Sequence, residues 1–139
     1  MASFQKFNAF VADVAIKVHN LGSDTLKILL TDTAPVATNA IKANLTEIGA
    51  GNGYAAGGTA VTITSSAQSG GTYKLIGNNV TFTASGGSIA QFRYAVIYNA
   101  TAASGNLIGW WDYGTEVNVT NGNAFQVQLD AVNGILQLA

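Results

Sequence analysis

The sequence predicts a mainly β protein, a jelly-roll-like antiparallel β-sandwich with one N-terminal helix. Three observations carry this. After Gly22 the chain breaks into short runs in which apolar and polar residues alternate. Most of these runs are bounded by Gly, Asn or Ser, the residues that tolerate tight turns. A helical period, with apolar residues at steps of three and four, occupies the N-terminal segment. Strands of this length and spacing build sandwiches and not βαβ units. The 139 residues form one domain by length, 1–139, large enough to bury a core without staples, and the chain contains no cysteine to make any.

In chain order, the helix is expected over about residues 4–20. Phe7, Phe10, Val11, Val14, Val18 and Leu21 form its stripe, Asp13 stands four residues before Lys17, and Gly22 is placed for a C-terminal cap. A strand through Val14, Ile16 and Val18 is the competing reading. The β-sandwich then covers about 24–139. "TLKILLT" puts Leu26, Ile28 and Leu30 on one face, and "TDTAPVATN", with Pro35, is a loop. "IKANLTEIG" fits neither period. "TAVTITS" turns Val61 and Ile63 inward. "TYKLIG", "NVTFTAS", "IAQFRYAVIYN", "NLIGWWDYG", "EVNVT", "AFQVQLD" and "GILQLA" follow as strands. In "AFQVQLD", Phe125, Val127 and Leu129 oppose Gln126, Gln128 and Asp130. Asn121-Gly122 and Asn133-Gly134 are two-residue hairpin signals.

Composition limits the partners. Charged residues make up 9% of the chain, against about 25% in ordinary soluble domains. Net charge is −1, and six Lys and Arg spread along the chain make no basic face for phosphates, so nucleic acid is not expected as a partner. A surface of Thr, Ser, Asn, Gln and Gly is neutral and cheaply desolvated, which suits a member of an assembly. Gln5, Lys6, Asn8, Asp13 and Lys17 interrupt the N-terminal segment, and no apolar run reaches the roughly 18 residues of a spanning helix. No membrane association is expected, and the chain reads as made in a cytoplasm.

Sites for chemistry are few. "GAGNGYAAGG", Gly49 to Gly58, has neither the spacing of a dinucleotide fingerprint nor the Gly-Lys-Ser/Thr of a P-loop, and threonine–valine alternation follows it in place of a helix. It reads as a long β-connection anchored by Tyr54. The single histidine, His19, lies at the helix end, where packing or capping explains it better than a catalytic triad. One His, no Cys and scattered carboxylates leave no metal site, and no cofactor is implied. Asp112 and Asp130 are the one acid/base pairing that neighbouring strands could create. In "GWWDYG", Trp110 and Trp111 must face opposite sides of a strand. Either one points outward, to an interface or a sugar, or each is covered by its own layer.

The blocks "HNLGSDTLKILLTDTAPVATN", "LTEIGAGNGYAAGGTAVTIT", "FRYAVIYNATAASGNLIGWWDYG" and "GILQLA" resemble a family of small virion proteins of tailed bacteriophages. The resemblance runs from about Phe4 to Leu138, and "RYAVIYN" and "LIGWWDYG" are its most specific parts. It implies a non-enzymatic capsid cement or decoration protein, jelly-roll-like, located in the virion on the outer surface of the head. The major capsid protein would be its partner, and a homo-oligomer, dimer or trimer, its working form. No catalytic residue carries over. The interface candidates are Phe4, Phe7 and Phe10, Tyr54 with its glycine loop, and the outward member of Trp110 and Trp111. The alternative is a tail- or fibre-associated module that binds host glycans, and a hydrolase built on His19 is a third reading.

Overall fold

The computed structural model describes residues 2–139. The chain is mainly β, 46% strand and 8% helical, with antiparallel sheets and one short α-helix. In order come β1 (Phe4–Lys6), α1 (Asn8–Ala15), β2 (Leu26–Thr31), a 3-10 turn (Lys42–Asn44), β3 (Thr59–Ala60), β4 (Ile63–Ser69), β5 (Thr72–Gly77), β6 (Val80–Thr83), β7 (Ile89–Asn99), β8 (Leu107–Val119), β9 (Ala124–Val127) and β10 (Leu136–Leu138). They form a five-stranded sheet ordered β1-β8-β7-β2-β3, a three-stranded sheet β10-β5-β4 and a two-stranded sheet β6-β9.

The sandwich closes around one large apolar cluster. Leu26, Ile28 and Leu30 of β2 and Ala95 and Ile97 of β7 face it from the five-stranded sheet. Leu75, Val80, Phe82, Val127 and Leu136 face it from the two smaller sheets. Each of these side chains other than Ala95, fully buried, favours folding by about 1.5–3 kcal/mol relative to exposure. The alternation read in "TLKILLT" therefore places the core face of β2 as expected.

The same sheet is also apolar on its other face. Leu29, Val96, Tyr98 and Leu107 gather there with Phe7, and Leu45 and Trp110 lie partly buried against them. Register explains how β8 serves both faces. Tyr98 pairs with Leu107 and Ile97 with Gly109, so Ile108 is the extra residue of a β-bulge. The bulge shifts the parity of β8, so that Trp110, three residues after Leu107, joins Leu107 at the small cluster while Ile108 and Trp111 enter the large one.

The helix differs from the expectation of about 4–20. Phe4–Lys6 is a strand, paired to β8 with Phe4 opposite Trp111. At the other end Lys17 adopts φ 71°, and the N–H groups of Val18 and Lys17 donate to the carbonyls of Asp13 (2.9 Å) and Val14 (3.3 Å). This is a Schellman termination with a lysine where glycine is usual, five residues before Gly22. The strand through Val14, Ile16 and Val18 does not form. The Asn-Gly signals also need correction. β9 pairs with β6 and β10 with β5, so neither Asn121-Gly122 nor Asn133-Gly134 joins paired neighbours. Their asparagines keep negative φ, unlike those of a type I′ turn. The tight two-residue hairpin is instead β4–β5, around Gly70-Gly71 with φ 59° and 85°.

Lys17→Gly removes the left-handed strain of a β-carbon, about 1–2 kcal/mol, against a glycine entropy cost of about 0.5–1 kcal/mol. The expected result is a net gain of up to about 1.5 kcal/mol in urea denaturation, with the sheet signal in circular dichroism unchanged.

Candidate interaction surface

The glycine stretch is held to the domain at Tyr54 and Gly57, which are buried, while residues 49–53 stay exposed. Asn52 and Gly53 both take positive φ (56° and 99°), and Gly51 and Tyr54 exchange backbone hydrogen bonds of 2.8 and 3.1 Å across them. This is a type I′ turn, and the sequence signal for it is the "NG" inside "GAGNGY". A β-carbon on Gly58 would lie 1.9 Å from the Ile28 carbonyl oxygen, so only glycine permits the loop to press on β2.

Glu47 fastens this loop. Its Oε2 accepts from the Tyr54 hydroxyl at 2.5 Å and from the Gly57 N–H at 2.6 Å. The Tyr54 oxygen in turn accepts the buried Leu30 N–H at 3.1 Å. The Tyr98 hydroxyl donates to the Gly57 carbonyl at 2.6 Å, while Lys42 Nζ stands 3.6 Å from Glu47 Oε1. Burial, reinforced by the hydrogen bond to Glu47, pushes the Tyr54 phenol far above its ordinary pKa. The N–H groups of Gly51, Gly57 and Gly58 all bond within the chain. Tyr54 thus pins the loop to its own domain.

The other interface candidates are also largely internal. Phe7, Phe10, Tyr54 and Trp111 are between 0% and 4% exposed, so the expectation that they stand on the surface is corrected. Phe10 and Trp111 belong to the large cluster and Phe7 to the small one. Trp110 and Trp111 do face opposite sides, and each is covered by its own layer. Trp110 is half-buried with its ring 4.5 Å from Phe7, and Phe4, also half-buried, lies 5.2 Å from Trp111. The large apolar side chains that are exposed are Val11, Ile16, Val36 and Val132, so Val11 leaves the buried stripe in which the helical period places it.

His19 sits in a polar cluster beneath the helix end. Asn99 Nδ2 donates to its Nδ1 at 3.0 Å, which places the imidazole proton on Nε2. That atom has no hydrogen-bond partner and lies 3.9 Å from Asp13 Oδ2. Asp13 accepts from Asn106 and Asp24 from Asn99. No nucleophile is placed against the ring, and packing explains the residue. Asp112 and Asp130 have separate duties: Asp112 holds Arg93 in a two-point ion pair (2.8 and 3.0 Å), and Asp130 accepts from the N–H groups of Val132 and Asn133. Among the described residues no group of three or more His, Asp or Glu could hold a metal ion, and no helix is long and apolar enough to cross a membrane.

An open cleft of about 780 Å³ lies beside the loop, lined by Lys27, Lys42, Glu47, Tyr98 and the segment from Ala100 to Gly105. Glu47, Lys42 and Tyr98 are engaged with one another or with the Gly57 backbone and Lys27 adds a second cation, so the cleft presents no set of converging reactive groups. Compared with family models, curated proteins and solved structures, the chain matches none.

Tyr54→Phe leaves the Leu30 N–H without its acceptor and is expected to cost about 1–3 kcal/mol in urea denaturation. Gly58→Ala is expected to cost more, because the obstacle is backbone. Burial holds the His19 pKa below its ordinary 6.5, against the opposing pull of Asp13 and Asp24. The unfolded chain then binds a proton near 6.5 that the folded chain refuses, so stability should fall as pH drops from about 7 to about 5. His19→Gln should flatten that slope, leaving the losses below about pH 4 that come from the depressed Asp112 and Asp130.

Proposed function

We propose that the protein is a capsid cement or decoration protein of a tailed bacteriophage. It binds the outer surface of the major capsid protein shell and stabilises the head against the pressure of packaged DNA. The observation that carries this is a β-sandwich with a neutral exterior. Only 9% of residues are charged, the exposed residues of β4 are Ser, Thr, Ala and Gln, and the surface turns are mostly Ser, Thr, Asn, Ala and Gly, with isolated exceptions such as Lys17, Asp32 and Val132. Such groups can be desolvated against a scaffold at low cost, while lone charges cannot. The resemblance of "RYAVIYN" and "LIGWWDYG" to virion proteins supports the same reading. Weak single contacts suffice in this role, since neighbouring copies on a particle raise one another's effective concentration. A homo-oligomer, dimer or trimer, fits that use.

The glycan-binding alternative drew on an outward tryptophan as a stacking platform. Trp111 is buried and the half-buried Trp110 packs at a 45° tilt against Phe7, which favours the cement reading. Particles assembled without the protein are expected to form normally and to break at lower temperature than complete ones, with resistance restored when purified protein is added back. Label on the protein should decorate the whole head and not the tail. Equal thermal resistance with and without the protein would overturn the assignment.

A further inference from the structure

We propose that β4 is the seam of a two-fold dimer, pairing antiparallel with β4 of a second copy. This deepens the oligomeric part of the function proposed above and selects a dimer over a trimer.

The hairpin geometry shows which backbone groups are free. Ser69 and Thr72 flank the two-residue Gly70-Gly71 turn, and the register continues as Ala67 with Lys74 and Ser65 with Ile76. In such a hairpin the residues flanking the turn, and every second one from them, bond across the pair. Ser65, Ala67 and Ser69 therefore bond to β5, while Ser66 and Gln68 turn their N–H and C=O groups outward. Nothing among the described residues bonds these outward groups. The strand is held in place from within, because the Ser66 hydroxyl lies 2.6 Å from the Tyr73 hydroxyl and 3.3 Å from the Leu21 carbonyl oxygen.

An open edge normally carries a device against pairing: a charge, a proline, a bulge or a very short strand. β1 has Lys6, and β3 has two residues. β4 runs for seven residues, "ITSSAQS", without charge or proline, and its one bulge lies at the Ile63–Ser65 end, leaving the rest regular. The sequence is also self-complementary. With the two-fold axis at Ala67, Ser66 of one copy exchanges hydrogen bonds with Gln68 of the other in both directions. Ala67 meets its mate as a non-hydrogen-bonded pair, with the α-carbons about 4.5 Å apart. The small side chain there allows that approach. The nearest charges on these strands, the two Lys74 side chains, would be three strand spacings apart, roughly 14 Å, beyond a Debye length of about 8 Å at physiological salt. The three-stranded sheets of the two copies would become one continuous sheet.

The chain lacks cysteine, so a single introduced thiol reports on its own environment. Ala67→Cys should cross-link into a covalent dimer under mild oxidation, while Ser104→Cys, exposed on a distant loop, should remain monomeric. Light scattering should give twice the chain mass for the unaltered protein. Gln68→Pro removes an outward donor that has no partner in the monomer, and should abolish the dimer while retaining the sheet spectrum. A wild-type monomer at all concentrations overturns the seam, as does equal cross-linking of the two thiol variants or a Gln68→Pro dimer. A monomer whose β4 amides become protected from exchange only on capsid shells also overturns it, assigning the edge to a shell segment. That last result would leave the cement function standing, whereas a β4 dimer with no affinity for shells would remove the function and leave the seam.

Discussion

The Glu47 carboxylate holds in place the coil that covers the second face of the central sheet, and much of the architecture follows from this contact. β2 and the latter half of β7 are buried on both sides, so the chain must supply two coverings. The two smaller sheets provide one, with their own hydrogen-bonded ladders. The other comes from Phe7, just ahead of α1, and from the long connection between β2 and β3, which contributes Leu45 and contains only a short 3-10 turn. Ordering such a segment costs on the order of 1–2 kcal/mol per residue in backbone entropy. Discrete polar bonds offset this. The Thr31 hydroxyl donates to the Thr46 carbonyl at 2.5 Å, the Ile48 N–H donates to Leu30, and Asn44 Oδ1 accepts from both Ala40 and Ile41. Glu47 adds charge-assisted bonds, the stronger kind, and joins the coil to the glycine loop through Tyr54 and Gly57.

This use of charge shapes the exterior. Of the seven acidic residues, Asp13, Asp24, Glu47, Asp112, Glu116 and Asp130 all accept hydrogen bonds from the chain's own side chains or backbone. Arg93 and Lys42 are partnered as well. A low charged fraction thus becomes lower still in effect, since the ions serve local structure. Hydrogen-bonding neutral groups make up most of what remains outside, with single exposed valines and one isoleucine between them.

The core faces of the strands were legible wherever the period was clean. Leu26, Ile28 and Leu30 fall where alternation puts them, as do Phe125 and Val127 on either side of Gln126. Leu29 was the overlooked sign that β2 has a second covered face, and the unbroken "YAVIY" of β7 carried the same message. The helical period overshoots the observed helix because Val18 and Leu21 continue its apolar steps past Lys17, while residues 4–6 belong to a strand. Pairing of Phe4 with β8 and the left-handed backbone at Lys17 are tertiary and local-geometric facts that a period does not contain. The aromatic candidates failed as surface residues for a related reason. Spacing shows that Trp110 and Trp111 point apart, but not that Phe7 waits on the far side. The hairpin at Gly70-Gly71 carried an available signal in "SGGT", and Asn52-Gly53 another.

With the aromatic side chains drawn into two interior clusters, little remains outside that could serve as a deep-burying anchor. Interfaces that are tight in isolation usually rest on such anchors. A partner of such a surface would have to be held through extended, shape-matched neutral contacts and through backbone hydrogen bonds, each weak alone. In the proposed role that is an advantage. On a shell of repeating sites, many weak contacts made together hold firmly, while a single such contact away from the shell does not. Backbone pairing at a strand edge serves the same end, since it asks for regular geometry in the partner and places no ionic demand on it. The covered second face makes this possible: were the Glu47 coil to lift, Leu29, Val96 and Leu107 would offer an apolar patch, and selectivity would give way to general adhesion.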